Sequence, residues 1–541
     1  MTIGHRLPLG LLLSAAVLLA QPAPNSVQNP GSNSLPGLPN YGIAQGSVFV
    51  VYGTGGMGPS TILGATTLPL QTSLGGTSIT VTVSGTTANA LMVYTLATQI
   101  AAVLPSNIPA GSGTLTVTYN NQSGSTPITV VPSNFGILSV NETGAGPAVA
   151  THVDNSVISG TNAANTGEEI VIWGTGLGPL PAGISDAGAP GAGASNIGTI
   201  TVWIGGVQAN VVYHGRNPSD PGLDQLNVTV PSGVSGCFVS LVVQTGNQVS
   251  NTTTLAVAPN GKTCSDANGL SLSSLAPALN ANGSARIGFI TLLQDTVTIG
   301  GLSSSSILGV ANFQKYTAYQ LSSSASPLLY PSSGSCTVSV SVGSNNPSVT
   351  PGITATGLDA GAAITLVDPA GNMDSLVATG TKGSYSLAAN TLASLAPATY
   401  QFTGPGGTDV GAFTANLKVA SALSWTNRGT VAASAIDRTQ PLSITWSGGD
   451  SGSYVLIGGF GNAPFGTSST VSAFFLCLAP NSAGGFTVPP YVLESIPANS
   501  SKSTDLMLVG STSPLQTFTA PGLDAGVVTS AFLTGETVTF K

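Results

Sequence analysis

The string Gly449-Asp-Ser-Gly452 has the residue types that surround the nucleophile of a serine protease. In that chemistry the serine hydroxyl attacks a carbonyl while a histidine accepts its proton. Downstream of the N-terminal apolar segment the chain has only His152 and His214, and neither lies in the sequence context of such a histidine. Gly, Asp and Ser are also usual hairpin-turn residues, and strand-like segments flank Ser451 on both sides. We therefore predict a turn here and no catalytic residue.

A second string, Gly53-x-Gly55-x-x-Gly58, matches the glycine pattern of dinucleotide-binding proteins. That pattern needs a helix directly after the glycines, because the helix N-terminus holds the pyrophosphate. Pro59 and the Gly, Thr and Pro residues up to Pro69 cannot form such a helix, and no acidic residue stands about 20 positions further on. The string therefore predicts a glycine loop at the end of a strand, and we expect no cofactor.

Acidic residues are further candidates for chemistry. Glycoside hydrolysis needs two carboxylates about 5–10 Å apart, and the sequence leaves such a pair open among dispersed residues: Glu168, Glu169, Asp220, Asp224, Glu494 and Asp505. Asp220 and Asp224 come nearest to a calcium loop but lack its dense oxygen ligands, so we predict no metal site. Asp359 and Asp524, in two repeated Gly-Leu-Asp-Ala-Gly strings, are expected to cap turns.

Trp203 is the candidate binding residue. In the alternating segment 199–204 the isoleucine and valine side chains share one face, which places Trp203 on the other face. That face is expected to meet either a neighbouring domain or water, where an aromatic ring can stack on a flat ligand such as a sugar. The remaining tryptophans lie in register with apolar neighbours and are expected in the core: Trp173, Trp425 and Trp446.

The composition around these residues is that of an all-β protein. Of 541 residues only 6% are charged, whereas 70 are Gly and 36 are Pro. Tracts of Ser, Thr, Val and Ile between the glycines and prolines predict many short strands joined by tight turns. With 11 Lys and Arg against 19 Asp and Glu, the net charge is -8. The absence of a basic surface argues against a nucleic-acid partner.

The N-terminus predicts export. Residues 1–20 combine a short basic segment with an apolar run and small residues at its end, which is typical of a secretory signal peptide. No later apolar run has the length of about 18–20 residues that a membrane-spanning helix needs, so no membrane span is expected. In an oxidising compartment the four cysteines can pair. We predict the disulfides Cys237–Cys264 and Cys336–Cys477 and an extracellular or cell-surface location.

An internal repeat indicates the domain organisation. Residues 48–59 match residues 169–179, with one residue inserted in the first copy, and an alternating strand that ends at Gly85 or Gly206 follows each string. About seven short strands in roughly 100–130 residues are typical of an immunoglobulin-like sandwich. We predict the following segments: a Pro/Asn/Ser-rich linker at 21–34, a first module at 35–132 and a second module at 133–264.

These motifs carry a resemblance to a known family. Gly174-Thr-Gly-Leu-Gly178, the strand and turn at 202–209, and Pro221-Gly-Leu-Asp-Gln225 resemble the tandem modules of a secreted protein family abundant in Acidobacteria. Those modules are similar to IPT/TIG immunoglobulin-like domains. The resemblance covers residues 35–260 and is strongest in the second copy, since the first has Thr95-Leu-Ala-Thr-Gln99 in place of the Pro-Gly-x-x-Gln element. It implies an extracellular immunoglobulin-like fold and no catalytic residue.

The remainder of the chain has a different sequence pattern. The two Gly-Leu-Asp-Ala-Gly strings, at 357–361 and 522–526, each precede an alternating strand. We predict a β-rich companion domain at 265–420 and a C-terminal β-sandwich at 421–541. The expected fold is thus all-β, with tandem immunoglobulin-like sandwich domains.

The sequence favours binding or structure over catalysis. Each catalytic or cofactor motif lacks the partner residues or the structural element that its chemistry needs. We therefore predict that the chain is not an enzyme. We expect a non-catalytic extracellular or cell-surface protein that serves as an adhesion, matrix or binding scaffold. The alternative is an extracellular protein that binds or degrades polysaccharide. The sequence does not decide whether the partner of the chain is an extracellular polysaccharide or a cell-surface protein.

Overall fold

The structure is a computed structural model that describes residues 21–259, 262–266, 272–321, 330–342, 355–387, 392, 394–465, 469–498 and 505–541. It confirms an all-β fold of tandem immunoglobulin-like sandwiches. The expected signal peptide at 1–20 lies outside the described residues. The helices are short: α1 (Leu272–Asn282), α2 (Ala318–Leu321), α3 (Arg428–Ala433) and α4 (Pro490–Glu494), with 3-10 turns at Gly191–Ala194 and Asn481–Ala483. Among the described residues, no helix has the length and apolarity to cross a membrane.

The first sandwich is built from eleven short strands. They are β1 (Pro24–Gln28), β2 (Ile43–Ala44), β3 (Val48–Gly53), β4 (Leu63–Gly64), β5 (Ser73–Leu74), β6 (Thr77–Val83), β7 (Thr86–Asn89), β8 (Leu91–Thr95), β9 (Gln99–Val103), β10 (Gly111–Tyr119) and β11 (Gln122–Val131). One sheet has the order β1-β3-β9-β8-β4, and the other has the order β2-β11-β10-β6-β5, with β7 also paired to β6. Ile79, Val81 and Val83 alternate with polar residues along β6 and are fully buried between the sheets.

The structure corrects the expected linker at 21–34. Residues of this segment form β1, which pairs antiparallel with β3 at the edge of the first sandwich. The Asn29 side chain then donates to the carbonyl oxygens of Asn134 and Thr175, at 3.0 and 3.1 Å. Pro, Asn and Ser are typical of loops, but strand pairing uses backbone groups, which every residue except proline supplies in full. The segment therefore belongs to the first sandwich and ties it to the second.

The second sandwich repeats the first. Its strands are β12 (Gly136–Ile137), β13 (Ala150–His152), β14 (Glu169–Thr175), β15 (Ile200–Ile204), β16 (Val207–Gln208), β17 (Asn210–Arg216), β18 (Asp224–Thr229), β19 (Gly236–Thr245), β20 (Gln248–Val249) and β21 (Thr253–Val257). The sheets have the orders β12-β14-β18-β17, with β13 on β14, and β16-β15-β19-β20, with β21 on β19. The β8–β9 and β17–β18 pairs even share a register shift, at Met92/Tyr94 and Val211/Tyr213. The duplication in the sequence is thus a duplication of structure.

The remaining strands are longer. They are β22 (Ser284–Ile299), β23 (Leu302–Thr317), β24 (Cys336–Val342), β25 (Thr356–Gly357), β26 (Ala363–Val367), β27 (Met373–Ala378), β28 (Ser384–Leu387), β29 (Thr399–Gly404), β30 (Phe413–Lys418), β31 (Leu423–Trp425), β32 (Leu442–Gly448), β33 (Tyr454–Phe465), β34 (Ser469–Pro480), β35 (Gly485–Val488), β36 (Asp505–Thr512), β37 (Gln516–Phe518) and β38 (Ala525–Val538).

The structure also corrects the expected division between 265–420 and 421–541. One 14-stranded sheet runs through both segments in the order β24-β34-β33-β36-β38-β22-β23-β28-β27-β26-β29-β30, with β25 on β23 and β37 on β38. Its joint is the parallel pairing of β22 with β38, from Ile287 opposite Ala525 to Thr298 opposite Glu536. Among the described residues of this region, β31-β32-β35 form a separate sheet. Because alternation along a strand does not reveal which distant strand it pairs with, the sequence conceals the shared sheet.

Two of the hydrophobic cores on this shared sheet are large. One contains Phe313 and Tyr400, and the other contains Trp425 and Phe475. The second core also takes in Leu35 and Leu38 of the N-terminal segment, together with Val242 of β19. Burial of apolar area at about 25 cal/mol per Å² therefore holds the N-terminal segment and the second sandwich against the C-terminal region.

Both predicted disulfides are present. Cys237 is bonded to Cys264 with a Cα–Cα distance of 5.2 Å, and the bond spans 27 residues of the second sandwich. Cys336 and Cys477 are directly opposite each other on β24 and β34, with a Cα–Cα distance of 4.0 Å and a separation of 141 residues. The first sandwich has no cysteine.

Candidate binding surface

The residues of the protease-like string lie in a turn. Ser451 is exposed between β32 and β33, and the Ser453 N–H donates to the Asp450 carbonyl at 2.9 Å. Both histidines lie in the second sandwich instead. His152 pairs with Glu168, and His214 contacts the Ile197 carbonyl through Nδ1 at 3.2 Å. The structure therefore brings neither His152 nor His214 to Ser451.

The glycine string forms a loop, as predicted. No helix follows β3, and Met57 is fully buried in the core of the first sandwich. The N–H groups of Gly53 and Met57 donate to the carbonyl oxygens of Thr98 and Ala97, at 3.0 and 3.1 Å. These donors are occupied within the protein, and they do not form an open phosphate cradle.

The carboxylates singled out in the sequence are spread over several elements. Glu168 and Glu169 lie at the start of β14, Asp220 in the loop before β18, Asp224 in β18, Glu494 in α4 and Asp505 in β36. Among the described residues, no group of three or more His, Cys, Asp and Glu side chains is placed to hold a metal ion. Asp359 accepts the N–H of Gly361 at 3.0 Å, and Asp524 accepts the N–H of Arg286 at 2.7 Å. Asp359 thus caps its own turn, as expected, whereas Asp524 accepts an N–H group 238 residues away and joins two distant segments instead.

Asp224 connects the two motifs that carry the family resemblance. Its Oδ2 atom accepts the N–H groups of Gly176 and Leu177 in the glycine loop, at 2.7 and 2.8 Å, and its Oδ1 atom pairs with Arg216. Burial raises the pKa of the Asp224 carboxyl, while Arg216 and the two N–H groups oppose that rise. This aspartate therefore joins the glycine loop to Arg216. The sequence alone does not reveal this role.

His152 and Glu168 form the second polar pair of this sandwich. Nδ1 of His152 bonds to the Glu168 carboxylate, and its Nε2 faces the Asn162 carbonyl at 3.2 Å. Burial alone would lower the pKa of His152, but these two acceptors outweigh it and raise the pKa. Burial alone would raise the pKa of the Glu168 carboxyl, but the hydrogen bonds from the Asn165 N–H and from His152 outweigh burial and lower this pKa. The arrangement favours a charged imidazolium beside a carboxylate.

Trp203 lies at a domain contact. Its ring stacks on Tyr491 of α4, with 4.6 Å between the ring centroids and 28° between the planes. Trp203 is half-buried and packs against the apolar core of the C-terminal region. Of the two surroundings expected for this side chain, the structure therefore shows the neighbouring domain. A tryptophan held in this way is not an open platform for a ligand.

The first sandwich has a different chemical character from the rest of the chain. Between Arg6 and Glu142 the sequence contains no Asp, Glu, Lys, Arg or His. Hydroxyl and amide groups must therefore provide all the side-chain polarity of this sandwich. Because it has no such residues, the region shows no catalytic motif, but its long run without charge is visible in the sequence.

The polar groups of the first sandwich are concentrated on one sheet. Ten polar, outward-facing residues of β6, β7, β10 and β11 form what we name the hydroxyl face, which also borders Pro127 opposite Thr114: Ser78, Thr80, Thr82, Thr87, Asn89, Thr114, Thr116, Thr118, Ser123 and Ser125. All of them are exposed or half-buried. The alternating residues of the same strands, such as Val81 and Leu115, are fully buried. Alternation of Ser or Thr with Val, Ile or Leu was the sequence signal for this face.

Strand register aligns the hydroxyl face into rows. One row crosses the sheet through Asn89, Thr80, Thr116 and Ser125. Neighbouring strands lie about 4.7–4.9 Å apart, and successive outward residues on one strand lie about 6.6–6.8 Å apart. The hydroxyl groups therefore form a regular array.

Neighbouring hydroxyl groups within the array bond to each other. The Oγ–Oγ distance is 2.8 Å for Thr82 and Thr87, and also for Thr116 and Ser125. A hydroxyl has one hydrogen and two lone pairs, so each bonded pair keeps one O–H to donate and further lone pairs to accept. The face can thus form many uncharged hydrogen bonds with a ligand. It contains no group that could act as a general acid or base near neutral pH.

A smaller hydroxyl row lies on the 14-stranded sheet. Register places Ser375, Thr365, Thr403 and Thr414 side by side on β27, β26, β29 and β30. The charged residue Lys418 lies two positions along β30 from Asn416 on the same face. This row has the same types of side chain as the hydroxyl face, but a charged residue lies on the same face of its sheet.

No protein-family model and no curated protein sequence matches this chain. Among solved structures, it is similar to the I9–I11 tandem of titin, with 10% identity over 69% of this chain and 92% of that chain and a TM-score of 0.13. It is also similar to the glucan-utilization protein SGBP-B of Bacteroides ovatus, solved with a mixed-linkage heptasaccharide (10% identity, 80% and 90% covered, TM-score 0.16). A third is the Escherichia coli adhesin FdeC (12% identity, 73% and 98% covered, TM-score 0.14). At TM-scores this low, these structures say nothing about what this chain binds.

Proposed function

We propose that this chain is a non-catalytic extracellular or cell-surface protein in which the first sandwich binds a ligand and the other sandwiches form its scaffold. The observation that carries this proposal is the separation of charge along the chain. The first sandwich has no ionisable Asp, Glu, Lys, Arg or His, and it exposes an ordered face of hydroxyl groups.

Several charged residues elsewhere in the chain make structural contacts. Arg428 bridges α3 and β38 through Glu536 at 2.6 Å, and Lys382 contacts Asp409 at 2.8 Å. Asp409 in turn accepts the N–H of Asp359 at 2.9 Å. Side chains engaged in this way support a role in holding loops and sheets together.

Export of the protein and its family membership belong to the same proposal. The apolar N-terminal segment fits a signal peptide, and the two disulfides suit an oxidising compartment. We place the chain with the secreted Acidobacteria family of IPT/TIG-like modules on the strength of its glycine-loop and Pro-Gly-x-x-Gln motifs.

Purified residues 21–541 test the proposal. We expect the protein to be retained on insoluble extracellular material from bacterial biofilms, and to show no turnover on ester, peptide and glycoside substrate panels with or without Ca²⁺ and Zn²⁺. Turnover that is lost on changing one Ser, Asp or Glu would refute the non-catalytic role. Failure of retention on all extracellular material would refute the binding role.

A further inference from the structure

We propose that the hydroxyl face of the first sandwich binds the surface of an uncharged polysaccharide. This inference rests on the proposed binding role and names the class of ligand. The charge, the hydrogen-bonding capacity and the composition of the face support this inference.

Charge complementarity selects the class of ligand. An anionic polymer needs cationic side chains to replace its counterions, and a cationic polymer needs carboxylates. The first sandwich has neither, and the nearest charged residue after it in the sequence is Glu142. A neutral polymer avoids the large cost of desolvating a charge on such a face, and the hydroxyl groups of both partners can replace the water hydrogen bonds that they lose.

The side chains on the face suit a polyhydroxylated partner. Thr80, Thr116 and Thr114 each present a methyl group beside a hydroxyl, as a sugar ring presents C–H beside O–H. Each hydroxyl can donate or accept, so the face does not require one orientation of its ligand. Hydrogen bonds spread over the array add up even though each contributes about 0.5–1.5 kcal/mol.

The composition of the face disfavours a protein partner. Stable protein interfaces have apolar cores enriched in aromatic residues and Met. The central outward residues of the face are threonines: Thr80, Thr82, Thr114 and Thr116. A second copy of this chain would bury rows of hydroxyl groups against each other without an apolar centre. An extended neutral polymer lying across the strands fits the face better.

Binding of the full chain (21–541) to insoluble neutral polysaccharide tests the inference. The probes are microcrystalline cellulose, insoluble starch and insoluble arabinoxylan, with calcium-crosslinked polygalacturonate as the anionic comparison. We expect binding to at least one neutral probe, weaker binding to polygalacturonate, and retention in about 1 M NaCl, where the Debye length is only about 3 Å. Binding that requires low salt, or that is confined to polygalacturonate, would overturn the inference.

A matched pair of variants locates the binding surface. T80V/T116V removes two central hydroxyls and keeps two β-branched side chains, so the strands retain their propensity. We expect its dissociation constant on the neutral probe to rise about ten-fold. The control T403V/T414V makes the same change on the row of the 14-stranded sheet, and we expect less than a two-fold change. Circular dichroism and thermal melting establish that both variants are folded.

A charged variant covers the case in which the valine variant fails to fold. T116K places a cation in the centre of the face, and we expect it to abolish binding to the neutral probe. Equal binding by T80V/T116V, T116K and the wild type would overturn the inference. So would sedimentation velocity that shows a dimer dissociated by T116K, because the face would then join two copies. Retention on biofilm material without binding to any neutral polysaccharide would refute the ligand class and leave the binding role standing.

Discussion

Nη1 of Arg216 lies 2.6 Å from Oδ1 of Asp224, and the two side chains are 1% and 0% exposed. The same guanidinium donates to the Gly178 carbonyl at 3.0 Å. This ion pair therefore fixes the glycine loop between β14 and β15 against β17 and β18. The neighbouring Thr175 hydroxyl accepts the N–H of Val48, at 2.9 Å, so the fixed loop also positions the first sandwich.

The first prediction concerns this ion pair. Arg216→Met leaves a buried carboxylate without its partner, and removal of one member of such a pair costs about 3–5 kcal/mol. We expect the second sandwich of the variant to unfold at a lower urea concentration than that of the wild type. Hydrogen exchange of its amides at increasing urea concentrations measures this midpoint. The control is Lys382→Met, which breaks an exposed pair with Asp409 and should have a much smaller effect, because solvent screens exposed ion pairs. Equal effects of the two substitutions would contradict the structural role of Arg216.

The second prediction concerns Trp203. Trp203→Ala removes the ring that stacks on Tyr491, so we expect α4 and the facing strand β15 to exchange amide hydrogens faster. Trp203→Phe keeps an aromatic ring and should restore most of the protection. Binding to polysaccharide should be the same in both variants. If Trp203→Ala lost polysaccharide binding while amide hydrogen exchange stayed unchanged, Trp203 would be a ligand-binding residue and not a domain contact.

The third prediction concerns the disulfides. In the chain-entropy model, closure of a loop of 27 residues stabilises the fold by roughly 3.5 kcal/mol, and closure of a loop of 141 residues stabilises it by more. Reduction should therefore destabilise the second sandwich and the C-terminal region, while the first sandwich keeps its core. Hydrogen exchange with and without reductant measures this difference. Free thiols, or a bond between Cys264 and Cys336, would contradict the pairing on which the prediction depends.

The fourth prediction concerns pH. The pKa of His152 is raised in the folded state, so its contribution to stability is full below its ordinary value of 6.5 and is lost as the pH rises through the raised value. The pKa of Glu168 is lowered, so its contribution is present above 4.5 and is lost as the pH falls through the lowered value.

The pair should therefore stabilise the second sandwich most between about pH 4.5 and 6.5. Because both side chains are partly exposed, we expect a gain below about 1 kcal/mol relative to pH 8.5. Asp154, which also raises the His152 pKa, adds to the same trend. Urea unfolding of the wild type and of His152→Gln at both pH values measures the effect. A pH dependence that persists in His152→Gln would assign it to other groups.

Local patterns in the sequence predict the duplicated sandwich. Alternation in β6 and β15, and the glycines that end those strands, follow from steric and burial rules that act over a few residues. The even number of cysteines and the expected export similarly predict two disulfides. In contrast, β1 and the joint between β22 and β38 depend on pairing between distant segments, which a strand's own pattern does not encode.

The candidate surface was only partly accessible to sequence reasoning. Alternation places Trp203 on the face opposite to Val202, but it does not show that Tyr491 covers that face. For the hydroxyl face, the alternating threonines and the stretch without charge are both visible in the sequence. What the sequence lacks is the register that places Thr80 opposite Thr116 and aligns four strands into one array.

The parallel joint between β22 and β38 sets an order of events during synthesis. Arg286 and Asp524, whose backbone and side chain meet beside this joint, are 238 residues apart. Both immunoglobulin-like sandwiches can close while the ribosome is still adding residues, because their strands are near neighbours in the chain. One edge of β22 must wait for β38, and an unpaired edge invites pairing with other chains. A chaperone that shields β22 during this interval would therefore protect the shared sheet and would be dispensable for the first two sandwiches.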